Sequence, residues 1–299
     1  MNTNSSHTPT EHALVLGGGG AAGNAWLIGV LAGLADGGVD VTDADLIVGT
    51  SAGATAAAQI TGAPIAELYA ATQAPVPQHA RPAGRPGGFD QNAHLDRMRA
   101  VIASAGDAAD MRRKIGAVAL EADAAGDGTW SQKWRTTVAA RLPSQDWPDR
   151  RLLITAVDPV TGEGIALDRD SGVSLADAVA ASTSNGFSTP AYRVGDRAFI
   201  DGGYRRNENA DLAAGCATVL VLSPLGGRTM HPLEWGMQLS AQVDELRAGG
   251  SAVETVLPDE ASLAAFGGNM MNLATRPAAA RAGFAQGAAL AARLTAFWG

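Results

Sequence analysis

HALVLGGGGAAGNAWLIGVLAGLADGG, residues 12–38, followed by LIVGTSAG at residues 46–53, carries the clearest structural signal in the chain. Ala13 to Leu16 is an apolar run of strand length, and the glycine string Gly17 to Gly20 ends it. From Asn24 to Asp36 the apolar residues Trp26, Leu27, Val30, Leu31 and Leu34 recur at helical spacing, and Gly37-Gly38 stops the helix as a C-cap pair would. Leu46 to Val48 is a second strand-like run, and residues 51–61 read as an Ala-rich helix that starts abruptly. Strand, helix and strand in so short a span form a βαβ unit, with parallel strands and a right-handed crossover. The stretch therefore predicts a parallel sheet covered by helices.

Outward from this unit the pattern weakens and then returns. Residues 75–148 carry Pro75, Pro77, Pro82 and Pro86 with helix-like stretches near 93–105 and 110–122, and are expected to form an inserted helical cap. LLITAVD (Leu152 to Asp158) restores a strand, with GIAL as its hairpin partner across Thr161-Gly162. A helix from Leu175 to Ala181, the strand pair AYRV and RAFI, the buried-type strand ATVLVLS (Ala217 to Ser223), a helix at 235–247, a strand at 252–257 and terminal helices complete the reading. No repeat or linker marks a second unit. The expectation is a loose polar tail over residues 1–11 and one domain over 12–299.

Composition sets bounds on partners. The 299 residues are 46% hydrophobic and 17% charged, ordinary for a globular protein with a sizeable core. A net charge of −8 repels a phosphate backbone, so no nucleic-acid partner is expected. Cys216 is the sole cysteine and cannot form an intramolecular disulfide, which favours a reducing compartment, and the first ten residues lack the basic and apolar regions of a signal peptide. A cytoplasmic location is expected, with at most a transient contact at a membrane surface. Arg112-Arg113-Lys114 is the candidate for that contact, against the plainer reading of a solvated face.

Gly49-Thr50-Ser51-Ala52-Gly53 is a G-x-S-x-G sequence between a strand and a helix. That is the context of a nucleophile elbow, where the serine sits on a strained turn and glycines relieve the crowding on either side. The helix that follows points free N–H groups and its positive dipole end toward any anion formed there. The loop Gly17 to Gly23 leaves the neighbouring strand, so its N–H groups, with that of Ala52, could hold the oxyanion of a tetrahedral intermediate. Gly18, Gly20 and Gly23 also satisfy the dinucleotide fingerprint G-x-G-x-x-G, but the second strand ends in Gly49 rather than in the acidic residue that would bind a ribose. A serine nucleophile needs a base. Of His7, His12, His79, His94 and His231, only His231 follows the core strands, whereas Asp201 ends the strand RAFI and is followed by Gly202-Gly203. An ordinary aspartate is a feeble base, so that role requires an enclosed site.

Together GGGGAAG (17–23), GTSAG (49–53) and DGG (201–203), in this order and with about 150 residues between serine and aspartate, resemble the patatin-like phospholipase family. The resemblance runs from about Ala13 to Ala213 and includes FIDGGYRRNENADLA, whose Asn207 is similar to an asparagine often found after the family's aspartate. It implies a three-layer α/β/α fold with a mainly parallel sheet and hydrolysis of lipid acyl esters, of the phospholipase A type. It implies Ser51 as nucleophile and Asp201 as base, with no catalytic histidine, metal or cofactor. Gly18, Gly19 and Gly20 become the oxyanion loop beside Ala52, with Gly49, Gly53, Gly202 and Gly203 shaping the elbow and turn. Ala22 stands where the family usually has Arg or Lys, which favours a neutral ester; Asn209 replaces a common proline, and residues 181–190 lack a proline-glycine pair. Acyl transfer, a lipid-binding module without turnover and a dinucleotide-binding oxidoreductase are the alternatives. Trp130, Trp134 and Trp147, with Met111, Ile115 and Val118, are read as core or as the mouth of the site, and Met270-Met271 as core or as an acyl tunnel.

Overall fold

The computed structural model describes residues 11–74, 91–187 and 189–299, and the side chains of this set except those of residues 91–94. Residues 1–10 of the polar tail, His7 among them, the proline-rich residues 75–90 with His79, and the His94 side chain lie outside the described residues.

The chain opens as the sequence dictates: β1 (His12–Leu16), α1 (Gly20–Asp36), β2 (Leu46–Gly49) and α2 (Ala52–Ile60). Then come α3 (Ile65–Thr72), α4 (Gln91–Ser104), α5 (Ala108–Ala124) and α6 (Trp130–Ala139). The α/β pattern resumes with β3 (Arg151–Val157), β4 (Gly164–Leu167), α7 (Leu175–Ser182), β5 (Tyr192–Val194), β6 (Arg197–Asp201) and β7 (Thr218–Leu222). It closes with α8 (Leu239–Ala248), β8 (Ala252–Val256), α9 (Glu260–Phe266) and α10 (Arg276–Trp298). Two helices, α3 and α6, escape the sequence reading; both are short, and each has only one buried residue. The helix expected at 235–247 begins only at Leu239, because Gly236 takes a φ of 64° and ends the short turn before it.

The sheet runs β5-β6-β3-β2-β1-β7-β8. Strands β3, β2, β1, β7 and β8 are mutually parallel, while β4 and β6 pair antiparallel with β3. Alternation along β1 shows the layering: Leu14 and Leu16 join the core beneath α1, α2, α7 and α10, and Ala13 and Val15 face Leu239, Val243 and Leu246 of α8. Helices on both faces make the three-layer α/β/α arrangement. Helix α1 is buried from Ala22 to Leu34, as a helix that is apolar all round must be. It packs parallel to α10 at backbone contact: a methyl group on Gly33 would overlap the Phe284 carbonyl, and one on Gly283 would crowd that of Trp26. The Trp26 indole N–H is satisfied there by Ser262 Oγ and Gln286 Oε1, each at 3.0 Å.

Candidate active site

Strand β3 aligns the two halves of the site. Its Ile154 pairs with Gly49 at the end of β2, and two residues on its Ala156 pairs with Asp201 at the end of β6. Residues far apart in the chain thus meet at one edge of the sheet.

Ser51 has φ 54° and ψ −112°, a conformation that non-glycine residues rarely adopt. Such strain costs of order 1–3 kcal/mol and persists only where the surroundings enforce it. Here Thr50 N donates to Leu16 O at 3.0 Å, Gly53 N to Thr50 O at 2.8 Å, and Ser51 N to Ser182 Oγ at 2.9 Å. A Cβ on Gly53 would overlap the Leu16 carbonyl, and one on Gly49 would lie 2.7 Å from Ala54 Cα. Both flanking glycines are therefore required by close backbone approach.

Asp201 Oδ1 accepts the Gly203 N–H at 2.8 Å and its own N–H goes to Ser184 O at 2.7 Å. Burial pushes its pKa up to about 6, a rise only partly opposed by the Gly203 hydrogen bond and the nearby Ser51 hydroxyl. Tyr204 lies close by; burial, and then the Asp201 charge, hold its phenol well above the usual range, so it stays neutral.

A polar net with little sequence signal supports the pair. Thr155, the lone polar residue in the apolar run of β3, bonds Thr50 Oγ1 at 2.9 Å. Asn209 takes a left-handed φ of 54°, which proline cannot adopt. Its Nδ2 reaches Arg206 O at 2.6 Å, Thr50 Oγ1 at 3.0 Å and Gly202 O at 3.2 Å, and its Oδ1 accepts from Arg205 at 2.7 Å. Glu208, 1% exposed, accepts from Ser223 Oγ at 2.6 Å, Asn207 Nδ2 at 2.9 Å and Gln242 Nε2 at 3.2 Å, tying this loop to β7 and α8.

The glycine loop borders the serine: a Cβ on Gly18 would lie 3.5 Å from Ser51 Cβ. Its N–H groups are not equivalent. Gly17 N is spent on Leu222 O and Gly18 N on Asn207 O, at 3.0 and 3.1 Å. Those of Gly19, Gly20 and Ala52 have no acceptor among the described residues. Ala22 is fully buried and donates its N–H to Met270 O at 2.9 Å, which leaves no room for a long cationic side chain. Met271 is 60% exposed, with its sulfur against Gly20, so it is no core residue.

The remaining sequence candidates fall elsewhere. His231 bonds Thr229 through Nδ1 at 2.7 Å and stacks on Trp235. His12 stacks on Trp298 at the opposite end of β1. No described histidine side chain bonds Ser51 or Asp201. Trp130, Trp134 and Trp147 pack on the main core, with the indoles of Trp134 and Trp147 bonded to Ala180 O and Val173 O, and Met111 and Ile115 are core while Val118 is exposed. In the basic triplet, Arg112 donates to Gly162 O, and Arg113 and Lys114 pair with Asp110. Cys216 is buried, and burial raises its thiol pKa. No described helix is long and apolar enough to cross a membrane.

The sequence profile of the family described as patatin-like phospholipase matches residues 14–214, more than half of the chain. No curated protein matches in sequence. Among solved structures, VipD from Legionella pneumophila superposes with a TM-score of 0.45 at 14% identity, over 95% of this chain and 67% of that one.

Proposed function

The chain belongs to the patatin-like phospholipase family, whose members are lipid acyl hydrolases, and on that premise we propose that it is a serine acyl-ester hydrolase working through Ser51 and Asp201. The observation that carries this reading is the strained Ser51, next to a carboxylate whose pKa is about 6 and beside backbone N–H groups that lack acceptors among the described residues. A carboxylate with that pKa is still ionised at neutral pH, yet is a stronger base than an exposed aspartate.

In the proposed cycle Ser51 Oγ attacks the ester carbonyl as Asp201 takes the hydroxyl proton. The oxyanion is held by N–H groups of Gly19, Gly20 and Ala52, while Gly18, bound to Asn207 O, fixes the loop. Collapse breaks the ester C–O bond, and Asp201 returns its proton to the leaving alcohol. Water then attacks the acyl-serine, Asp201 takes a proton from it, and release of the fatty acid restores Ser51. The buried Ala22 puts no cation beside the loop, which supports a neutral ester at the reacting end.

The test is covalent. A fluorophosphonate should add once per chain, on Ser51 by peptide mapping, and the adduct should vanish in Ser51→Ala and form far more slowly in Asp201→Asn. Absence of any adduct, in the presence of detergent or lipid, would sink the hydrolase reading in favour of a binding module.

A further inference from the structure

Beyond the serine site, two arginines without acidic partners share one pocket. Arg141, in the turn after α6, and Arg276, at the start of α10, both line an open pocket of about 280 Å³ whose other walls include Ile28, Leu68 and Leu142. No carboxylate lines this pocket, and neither arginine forms an ion pair among the described residues. Their positions are nonetheless fixed. The Arg141 guanidinium lies 5.3 Å over the Trp134 ring, whose N–H is anchored to Ala180 O, and the Arg141 carbonyl is held by Gln59 Nε2 at 3.1 Å. Arg276 makes a single long bond, 3.5 Å, to Asn24 Oδ1. The two cations are close enough to repel; desolvation of the guanidinium and then this repulsion lower the pKa of Arg141, although the residue is exposed.

A guanidinium whose face rests on an aromatic ring still offers its edge N–H groups, the geometry that receives an oxyanion in a bidentate manner. Two neighbouring cations without a counter-ion repel, and an anion between them would relieve that repulsion. We infer that this pocket is a second ligand site, which binds the oxyanion head of an amphipathic molecule between Arg141 and Arg276 and takes its aliphatic stem along Ile28, Leu68 and Leu142. It adjoins the serine site through Asn24, whose Nδ2 approaches Ala52 O at 3.5 Å and Gln59 Oε1 at 3.0 Å. Gln59 lies eight residues along α2 from Ser51, about 12 Å at the helical rise, so the head would sit apart from the reacting carbonyl.

Calorimetric titration of the full chain with decyl phosphate, below its micelle concentration, tests this. The expected result is one site whose affinity falls at least tenfold in Arg141→Gln and in Arg276→Gln, recovers in part in the lysine variants, and weakens with salt. Arg293→Gln, on the far end of α10 and paired with Glu254, should bind as the unaltered chain does. Decanol should bind at least tenfold more weakly than decyl phosphate. Competition by inorganic phosphate but not by decanoate would identify a phosphate head, and equal binding of decanoate would extend the site to fatty carboxylates. Equal affinity for decanol, no loss in both glutamine variants once circular dichroism shows them folded, or no saturable binding would overturn the inference. Repeating the titration with Ser51→Ala separates it from the catalytic reading, because this site should be unaffected.

Discussion

The elbow after β2 and the loop after β6 deliver the two halves of one site, and they are held in opposite ways. The elbow is fixed by backbone packing: Gly49 and Gly53 touch the chain so closely that no side chain fits, and three short hydrogen bonds lock Ser51 at positive φ. The Asp201 loop is fixed by side chains, Asn209, Glu208, Thr50, Thr155, Ser223 and Gln242, drawn from many places in the chain. A steric lock is local and tolerates no substitution, whereas a polar net spreads its contribution and should fail by degrees. The variants below test that contrast.

The largest effect is expected at the point where the halves meet. Asp201→Asn should lower kcat/KM by about 10³-fold or more, the upper part of the range for a lost general base. The same variant should gain stability. The folded pKa of about 6 lies above the ordinary 3.8, so the folded state holds the proton more tightly and stability falls as pH rises from about 4 to about 6. Removing the charge should recover about 2–3 kcal/mol at pH 8, at 1.36 kcal/mol per unit, and nothing near pH 3. Urea unfolding at both pH values checks this; a loss of stability at pH 8 would contradict the buried charge.

Next is the steric lock. Gly53→Ala places a methyl group on the Leu16 carbonyl, and overpacking against backbone should cost about 3 kcal/mol, lowering Tm and activity together. Asn209→Ala should cost less, about 2 kcal/mol for the lost hydrogen bonds and the left-handed φ, and should lower kcat more than it raises KM because Thr50 and Gly202 shift beside the reacting pair. Asn209→Gly relieves the φ but not the bonds, so the difference between the two variants, about 1 kcal/mol, isolates the conformational part.

The same contrast explains what could be read before the structure. The elbow and glycine loop were legible because sterics write themselves as glycines at fixed spacing, α1 because its apolar residues recur at helical spacing, and β1 and β2 because each is an apolar run of strand length next to a glycine. Asp201 was legible through Gly202, where a Cβ would strike Thr155, but its net was not. Glu208 and Gln242 look like surface residues in sequence, and only the fold buries them together with Ser223. Nor does sequence say which loop N–H groups are free: Gly18 looks like Gly19 until Asn207 claims its N–H. Helices α3 and α6, which frame the Arg141 and Arg276 pocket, were missed for a related reason, since their faces are defined by distant partners.

The smallest effect is the most discriminating. An ordinary histidine titrates near 6.5 and Asp201 near 6, so a rise in kcat/KM through about pH 6 would fit either base. His231 is the only described histidine after the core strands. Its Nδ1 is engaged by Thr229, its Nε2 is buried without a partner, and burial, then the Arg112 charge, push its pKa down. A neutral ring fixed against Trp235 has no route to the Ser51 proton. His231→Ala should therefore leave kcat/KM within about twofold, the range of a residue outside the chemistry, and keep the midpoint of the pH profile near 6. A hundredfold loss, or disappearance of that midpoint, would transfer the base from the loop after β6 to the segment after β7, and the polar net around Asn209 would then serve only the fold.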